Sequence, residues 1–186
     1  MPSGRTTQPS IALLDANVII VAHQLAIWEW LLERYRILVP SVVVRTEVLF
    51  YPTPGHGRAP VQLDEQAEAG WIEELTATAT ELARVYAGFD QSFVSGLHAG
   101  EAEALALFLA GRVGEAGFCS GDALAVQALA MLGFAEQGVS LEALLGGKKH
   151  DGVLEPQFTE GFLRRNLSRG CENRITGMGL RRRVLD

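Results

Sequence analysis

The chain has 186 residues, of which 48% are apolar and 20% are charged. This composition is typical of a globular protein and excludes wholesale disorder, and the length suits one domain with room for an appendage. No apolar run is long enough to span a bilayer, the polar N-terminus lacks a signal-peptide core, and Cys119 and Cys171 indicate neither a disulfide framework nor a zinc site. A cytoplasmic protein without a membrane association is therefore expected.

The net charge of −6 is unevenly distributed along the chain. Residues 145–186 hold nine Lys/Arg and five Asp/Glu, whereas the preceding 144 residues hold seven and 17. Either the basic segment binds an anionic partner or it packs against the acidic body, and both alternatives are open. We divide the chain into an N-terminal leader (1–10), a main domain (11–144) and a basic C-terminal extension (145–186).

In chain order, "IALLD" (11–15) predicts a short buried strand with an acid at its carboxyl end. Residues 17–35 have the length and apolar spacing of one helix, and "RILVP" (36–40) predicts a second strand. Ser41 could cap a helix over "VVVRTEVLF", although three consecutive valines also allow a strand. The stretch "YPTPGHGRAP" (51–60) is rich in Pro and Gly and predicts a loop.

The second half of the chain alternates in the same way. The expected strands lie in "WIEELTA" and "GFCS". The expected helices are a short one ending at Gly70 and those in "ATELARVYAGF", "GEAEALALFLAG", "DALAVQALAMLG" and "GVSLEALL". Short apolar strands that alternate with helices predict an α/β fold with a mainly parallel central sheet. After Gly146 no clear periodicity remains, so a partly ordered extension or a flexible tail is expected there.

Several acids occupy positions where apolar surroundings are expected. Asp15 follows the first strand, and Asp122 follows "FCS" and precedes a helix, so each could simply be an N-cap. In the helical interpretation Glu47 shares the apolar stripe of its segment, and otherwise it is a half-exposed acid paired with a base. Glu101 and Glu103 open an apolar helix, where the helix dipole favours acids in any case.

No single one of these acids is specific evidence for a metal site, but their combination is. Asp15, Glu47, Glu101 and Asp122 come from strand ends and helix starts that should meet at one edge of one sheet, where ligands of parallel sheets bind. Carboxylates so close together repel one another, and a hard divalent cation with oxygen ligands removes the repulsion. Mg²⁺ or Mn²⁺ is therefore the expected cofactor.

At these residues the sequence resembles the PIN-domain nucleases. The matching segments are "LLDANVII", "VPSVVVRTEVL", "LHAGEAEALAL" and "FCSGDALAVQALA", and the resemblance covers about residues 11–144. It implies a PIN-like three-layer sandwich with helices on both faces of a mainly parallel sheet, and Mg²⁺- or Mn²⁺-dependent hydrolysis of phosphodiester bonds in RNA. It also implies a toxin-like ribonuclease that forms a homodimer and has an antitoxin protein as a partner.

The resemblance assigns roles to individual residues. Asp15, Glu47, Glu101 and Asp122 would be the metal ligands and the catalytic residues. Three further residues would be auxiliary. Asn17 and Ser120 match polar positions that help to orient ligands or substrate. Glu103 would replace Glu101 as a ligand if the helix register differs. Gly121 departs from the pattern, since many relatives carry another acid or Asn there, and the basic C-terminal extension lies outside the pattern altogether.

The implied chemistry needs no dedicated protein base, because a metal ion stabilises charge on the phosphoryl oxygens and lowers the pKa of a bound water. His98 lies three residues before Glu101, so a helical turn could bring the two together, although an exposed loop histidine is the simpler interpretation. Because the body is acidic, phosphate contacts must come from metal ions and local bases, and for each candidate arginine ordinary surface solvation is the alternative. The candidates are Arg45, Arg58, Arg164, Arg165 and Arg181–Arg183.

Two other functions compete with the nuclease. If the acids act only as helix caps, the chain would be a catalytically inactive PIN-like binding or regulatory module, and Gly121 favours this alternative. A phosphotransferase of the haloacid-dehalogenase type would need a second Asp two residues after Asp15. Asn17 stands at that position, which disfavours the phosphotransferase.

Overall fold

A computed structural model of the chain describes residues 10–53, 55, 57–150 and 152–181. The strands of the described residues are β1 (Ile11–Leu14), β2 (Arg36–Pro40), β3 (Phe50–Thr53), β4 (Gly57–Pro60), β5 (Glu73–Leu75) and β6 (Gly117–Cys119). The α-helices are α1 (Ala16–Gln24), α2 (Trp28–Arg34), α3 (Leu63–Glu68), α4 (Ala79–Gly88), α5 (Gln91–Val94), α6 (Ala99–Leu109), α7 (Ala123–Met131), α8 (Leu141–Leu145) and α9 (Glu160–Thr176). None of these helices has both the length and the apolarity to cross a membrane.

Four strands form a parallel sheet in the order β5–β2–β1–β6. Successive side chains of a strand point to opposite faces, so the apolar strands supply two cores. Leu13 and Phe118 belong to one core together with α4, α6 and α7, whereas Leu14 and Cys119 belong to the other together with α1, α2 and α8. The predicted α/β fold with a parallel sheet is confirmed, and helices on both faces are consistent with a three-layer sandwich.

The helix predicted over residues 17–35 is wrong in its extent, because two helices, α1 and α2, occupy this stretch. Ala26 lies between them in a left-handed backbone conformation with φ of 51°, which ends the regular helix. After this break Trp28 lies against α1, where its ring stacks on the His23 ring at a centroid distance of 5.1 Å. The His23 ring also stacks on Tyr51, at 5.0 Å.

The stretch 51–60, predicted as a loop, lies largely in an antiparallel hairpin of β3 and β4. Proline is tolerated here because a two-stranded ribbon leaves one edge of each strand unpaired. Of the two alternatives left open after Ser41, the helical one is nearer, because Ser41 and Val42 are α-helical and lead into a different kind of helical turn. Residues Val43–Glu47 form a π-helical turn, and Ser41 does not cap it through its side chain.

The basic extension contains α9, a helix of 17 residues that packs on α7. The close approach requires Gly170, where a Cβ atom would lie 2.4 Å from the backbone oxygen of Gln127. The side-chain amide of Gln127 also donates to Asn166 Oδ1 at 3.0 Å. Residues 1–9 of the predicted leader lie outside the described residues, as do Arg182 and Arg183.

Candidate metal centre

Asp15 lies at the carboxyl end of β1 and is 3% exposed. Its Oδ1 accepts the Ala16 N–H at 2.7 Å, which makes Asp15 the N-cap of α1. Its Oδ2 accepts the Ser120 hydroxyl at 2.7 Å and the Asn17 side-chain amide at 3.0 Å. The carboxylate is therefore held in one orientation at the sheet edge, and capping accounts for only one of its two oxygens.

Ser120 joins the ends of β1 and β6. Parallel pairing places Leu14 opposite Cys119, so the residues that follow each strand are neighbours. Ser120 Oγ donates to Asp15 and accepts the Asp122 N–H at 3.0 Å, while Asn17 Oδ1 accepts the Gly121 N–H at 3.0 Å. Asn17 and Ser120 thus both donate to Asp15 Oδ2, and the orienting role that the resemblance implies for them stays a prediction.

Asp122 caps α7 from the same edge. Its Oδ1 accepts the backbone N–H groups of Leu124 at 2.6 Å and Ala125 at 3.0 Å. Asp122 is half-buried, so its carboxylate remains accessible to solvent. Both the cap alternative and the convergence alternative are therefore compatible with its position.

Glu101 lies in the first turn of α6 and is 2% exposed. Its Oε2 accepts the His98 N–H at 2.9 Å, and its Oε1 lies 3.4 Å from Nδ1 of the largely exposed His98 ring. Ligand atoms of His98, Glu101 and Asp122, one from each residue, lie within 4.8 Å of one another. These three residues could hold a metal ion, and the three-residue spacing of His98 and Glu101 was the sequence signal for the histidine.

Glu47 reaches the same region from the end of the π-helical turn. Its Oε1 accepts the Gly100 N–H at 3.0 Å, next to Glu101. A Cβ atom on Gly100 would lie 2.5 Å from Glu47 Oε2 and 2.6 Å from a methyl group of Val43. Gly100 is therefore the residue that permits Glu47 to approach the start of α6.

The pKa values of Asp15 and Glu101 are raised mainly by burial and further by the charges of nearby acids. Burial raises the pKa of Asp15 to about 6, and the negative charges of Glu47 and Asp122 add to this effect. Burial likewise raises the pKa of Glu101 to about 7, with contributions from Asp15 and Asp122. The pKa of His98 is raised by the Glu101 charge. A cluster of carboxylates with this charge is the environment in which hard cations bind with oxygen ligands.

Glu103 has a different place. Its Oε1 accepts the Ser41 hydroxyl at 2.8 Å and the Ala77 N–H at 2.9 Å, and its Oε2 accepts the Val42 N–H at 2.8 Å. These three donors therefore hold the carboxylate between α6, the end of β2 and the segment that leads into α4. Glu103 serves to connect these segments and does not join the acidic edge formed by Asp15, Glu47, Glu101 and Asp122.

Gly121 is covered by the residues that precede α9. A Cβ atom at this position would lie 2.6 Å from Phe158 Cε1 and 3.2 Å from Gln157 Cγ. Phe158 is itself buried at 4% exposure. The absence of a second acid in this motif therefore coincides with an aromatic ring in the space that its side chain would enter.

The arginines proposed for phosphate contacts differ in their availability. Arg45 is engaged by Glu74 through two guanidinium hydrogen bonds. Arg58 lies exposed on β4 of the hairpin. Arg164 and Arg165 lie exposed on α9.

No protein-family model matches the chain, and neither a curated protein nor a solved structure matches it. The resemblance to PIN-domain nucleases therefore rests on the four short acidic segments and on their order along the sequence. The parallel sheet is one feature that this resemblance implies, and the chain has it.

Proposed function

We propose that this protein is a PIN-like, Mg²⁺- or Mn²⁺-dependent endoribonuclease that hydrolyses phosphodiester bonds of RNA. The observation that carries the proposal is the approach of His98, Glu101 and Asp122, whose ligand atoms lie within 4.8 Å of one another. Asp15 is joined to Asp122 through the Ser120 hydroxyl, and Glu47 accepts the Gly100 N–H next to Glu101. A structural role alone gives no reason for the capping acids of three helices to share one edge, where the Asp122 charge contributes to the raised pKa of both Asp15 and Glu101.

The four acids of the edge would have different roles in binding the metal ion and the phosphate. Asp15 and Glu101 are buried and fixed by hydrogen bonds, so they form the rigid floor of the site. Asp122 and Glu47 are half-buried and face the side from which a phosphate can enter. A bound divalent ion would stabilise the charge of the phosphoryl oxygens and supply hydroxide near neutral pH.

His98 adds a group that can exchange protons with solvent. Its side chain is 75% exposed, and its pKa is raised by the adjacent Glu101 charge. The two roles exclude each other, because a neutral His98 ring can bind the ion through a nitrogen, whereas a protonated ring can only donate, for example to a phosphate oxygen at the mouth of the site. A toxin-like role, with an antitoxin protein and a homodimer, is part of the same proposal and follows from the resemblance alone.

A second candidate function is a catalytically inactive binding or regulatory module. It is favoured by the fact that each acid of the edge also accepts a backbone N–H: Asp15 and Asp122 at helix caps, Glu101 in a capping box and Glu47 at Gly100. Capping by itself stabilises a helix by about 1 kcal/mol, which is a sufficient reason for an acid to be present.

The test uses matched aspartate variants. Asp15→Asn and Asp122→Asn are expected to lower divalent-dependent cleavage of RNA by more than ~100-fold with the fold retained by circular dichroism. The control is Asp90→Asn, because Asp90 caps α5 through the Phe93 N–H at 2.8 Å and is not part of the acidic edge. Full cleavage by both edge variants, or no binding of millimolar Mn²⁺ by calorimetry, would favour the module.

A further inference from the structure

Helix α9 runs parallel to α7, so both helices begin at the same end of the molecule. Asn166 contacts Gln127, Gly170 lies against Gln127 and Ala130, and the Arg174 guanidinium lies over Gly133. The contacts therefore advance in the same direction along both helices. Because Asp122 caps the start of α7, the start of α9 lies near the acidic edge.

The turn before α9 supports this placement. Pro156–Phe158 forms a short 3-10 helix, and the Phe158 ring covers Gly121 directly beside Asp122. Thr159 then caps α9 by accepting the Phe162 N–H at 3.4 Å. The extension thus leaves the acidic edge and continues away from it as α9.

The two sides of α9 differ in character. Leu163 and Gly170 face the body and are buried. The opposite side carries the exposed residues Arg164, Arg165 and Arg169, which we call the α9 arginine face. Together with Ser168, Glu172, Asn173 and Met178 these arginines line a cleft of about 750 Å³.

The arginines of this face are largely free of acidic partners. Arg164 pairs with Glu160 at 3.2 Å, but neither Arg165 nor Arg169 forms an ion pair with any residue of the described ranges. The basic segment therefore does not neutralise itself on the acidic body through these two side chains. Free guanidinium groups one helical turn apart, about 6 Å along the axis, form a surface for phosphates.

We infer that the α9 arginine face binds the sugar–phosphate backbone of the RNA strand that enters the acidic edge. This inference rests on the proposed ribonuclease function and assigns the part of the chain that holds the substrate. The acidic body repels RNA, so affinity must come from local bases, and α9 carries three of them on a helix that starts beside Asp122. A strand leaving the edge along α9 would meet Arg164 and Arg165 first and Arg169 one turn later.

The test measures binding without cleavage. The affinity of the full-length protein for a fluorescein-labelled single-stranded oligouridylate is determined by fluorescence anisotropy in EDTA, over a series of salt concentrations. Arg165→Gln and Arg169→Gln are each expected to weaken binding by about threefold, and the double variant by about tenfold, with the salt slope reduced by about 1.4. Arg84→Gln, on the exposed side of α4, is the matched control and should leave the affinity within about 1.5-fold.

The outcomes separate this inference from the ribonuclease itself. Unchanged RNA affinity in the double variant overturns the inference even if the protein cleaves RNA. Reduced RNA affinity supports it, and because the assay needs neither metal nor cleavage, this result would stand if the edge variants showed no catalytic defect. If the double variant instead loses affinity only for polyglutamate, the face binds an acidic polypeptide and the inference is wrong.

Discussion

Glu101 and Glu103 lie two residues apart on α6 and are equally buried at 2% exposure. Their surroundings differ, because hydrogen-bond donors from other segments surround Glu103, whereas other acids lie near Glu101. Glu103 accepts hydrogen bonds from Ser41, Val42 and Ala77, which come from two other segments. Glu101 accepts a backbone hydrogen bond from its own capping box, and its pKa is raised to about 7 by burial and by nearby acids.

The difference shows that burial alone does not mark a functional acid. A buried carboxylate with a full set of donors stabilises the fold as a connector. A buried carboxylate next to other carboxylates is instead held in an unfavourable charge state, which a cation can relieve. Glu103 therefore connects segments of the fold, whereas Glu101 is the residue that the proposed function makes a metal ligand, and both roles can be tested.

The largest effect is expected from Glu103→Gln. The amide has one acceptor oxygen instead of two, and its NH₂ group would face backbone N–H donors, so buried donors lose their acceptor. We expect the free energy of unfolding in urea to fall by about 4 kcal/mol. Glu101→Gln in the same metal-free assay at pH 6 should change it by less than about 1 kcal/mol, since Glu101 is then mostly protonated. Equal losses for the two variants would remove the distinction.

The next effect is a pH dependence of stability in the absence of metal. The pKa of Asp15 is raised from 3.8 to about 6 in the folded protein, so the folded state binds its proton more tightly than the unfolded state does. The stability contributed by this group is present below about pH 4 and is lost as the pH rises through 6, by up to about 3 kcal/mol.

Asp15→Asn should therefore become more stable relative to the parent protein as the pH rises from 4 to 7. Asp90 provides a control of opposite sign, because hydrogen bonding from the Phe93 N–H lowers its pKa. Its stabilising contribution is lost as the pH falls, so Asp90→Asn should lose stability relative to the parent protein as the pH rises. A pH-independent difference for Asp15→Asn would contradict the assignment of its pKa.

A smaller effect is expected where the extension covers the acidic edge. Gly121→Ala would press a methyl group against the buried Phe158 ring and should cost about 2 kcal/mol of stability. Gly88→Ala is the matched control, since nothing lies within 4 Å of a Cβ atom there and it is the last residue of α4. Thermal unfolding of both variants gives the comparison, and a tolerated Gly121→Ala would mean that Phe158 does not fill this space.

The smallest expected change in free energy concerns metal affinity. Glu101→Gln should weaken Mn²⁺ binding at least tenfold, about 1.4 kcal/mol, because a charged ligand becomes neutral. Glu115→Gln, at an exposed position before β6, is a control that removes an acid at the opposite end of that strand from the edge. Titration calorimetry measures both, and an unchanged affinity in Glu101→Gln would exclude it as a ligand.

The sequence was sufficient to predict the four strands of the parallel sheet. Short apolar strands followed at once by Asp15 or Ser120 indicate parallel strands with polar residues at their carboxyl ends, and such residues must meet once the strands pair. The pairing of Leu14 with Cys119 is the physical reason that the prediction places Asp15 and Ser120 together.

Hydrophobic periodicity could not choose between Glu101 and Glu103, and only the resemblance to the PIN-domain nucleases favoured Glu101. Their helix is apolar on all sides, so periodicity does not separate them, and the donors to Glu103 come from residues 26 and about 60 positions away. Helix α9 was missed because its exposed side is rich in arginine and its contact side depends on Gly170, so no apolar stripe is visible. Long-range packing decided both features.

Crystals of the protein grown with Mn²⁺ would test the convergence of the acids most directly, because anomalous scattering locates the ion. We expect the strongest anomalous peak at the edge of the sheet, in contact with carboxylate oxygens of Asp15, Glu101 and Asp122 and beside the His98 ring. A peak elsewhere on the molecule, or none at this edge in millimolar Mn²⁺, would contradict the assignment of these acids as a metal centre.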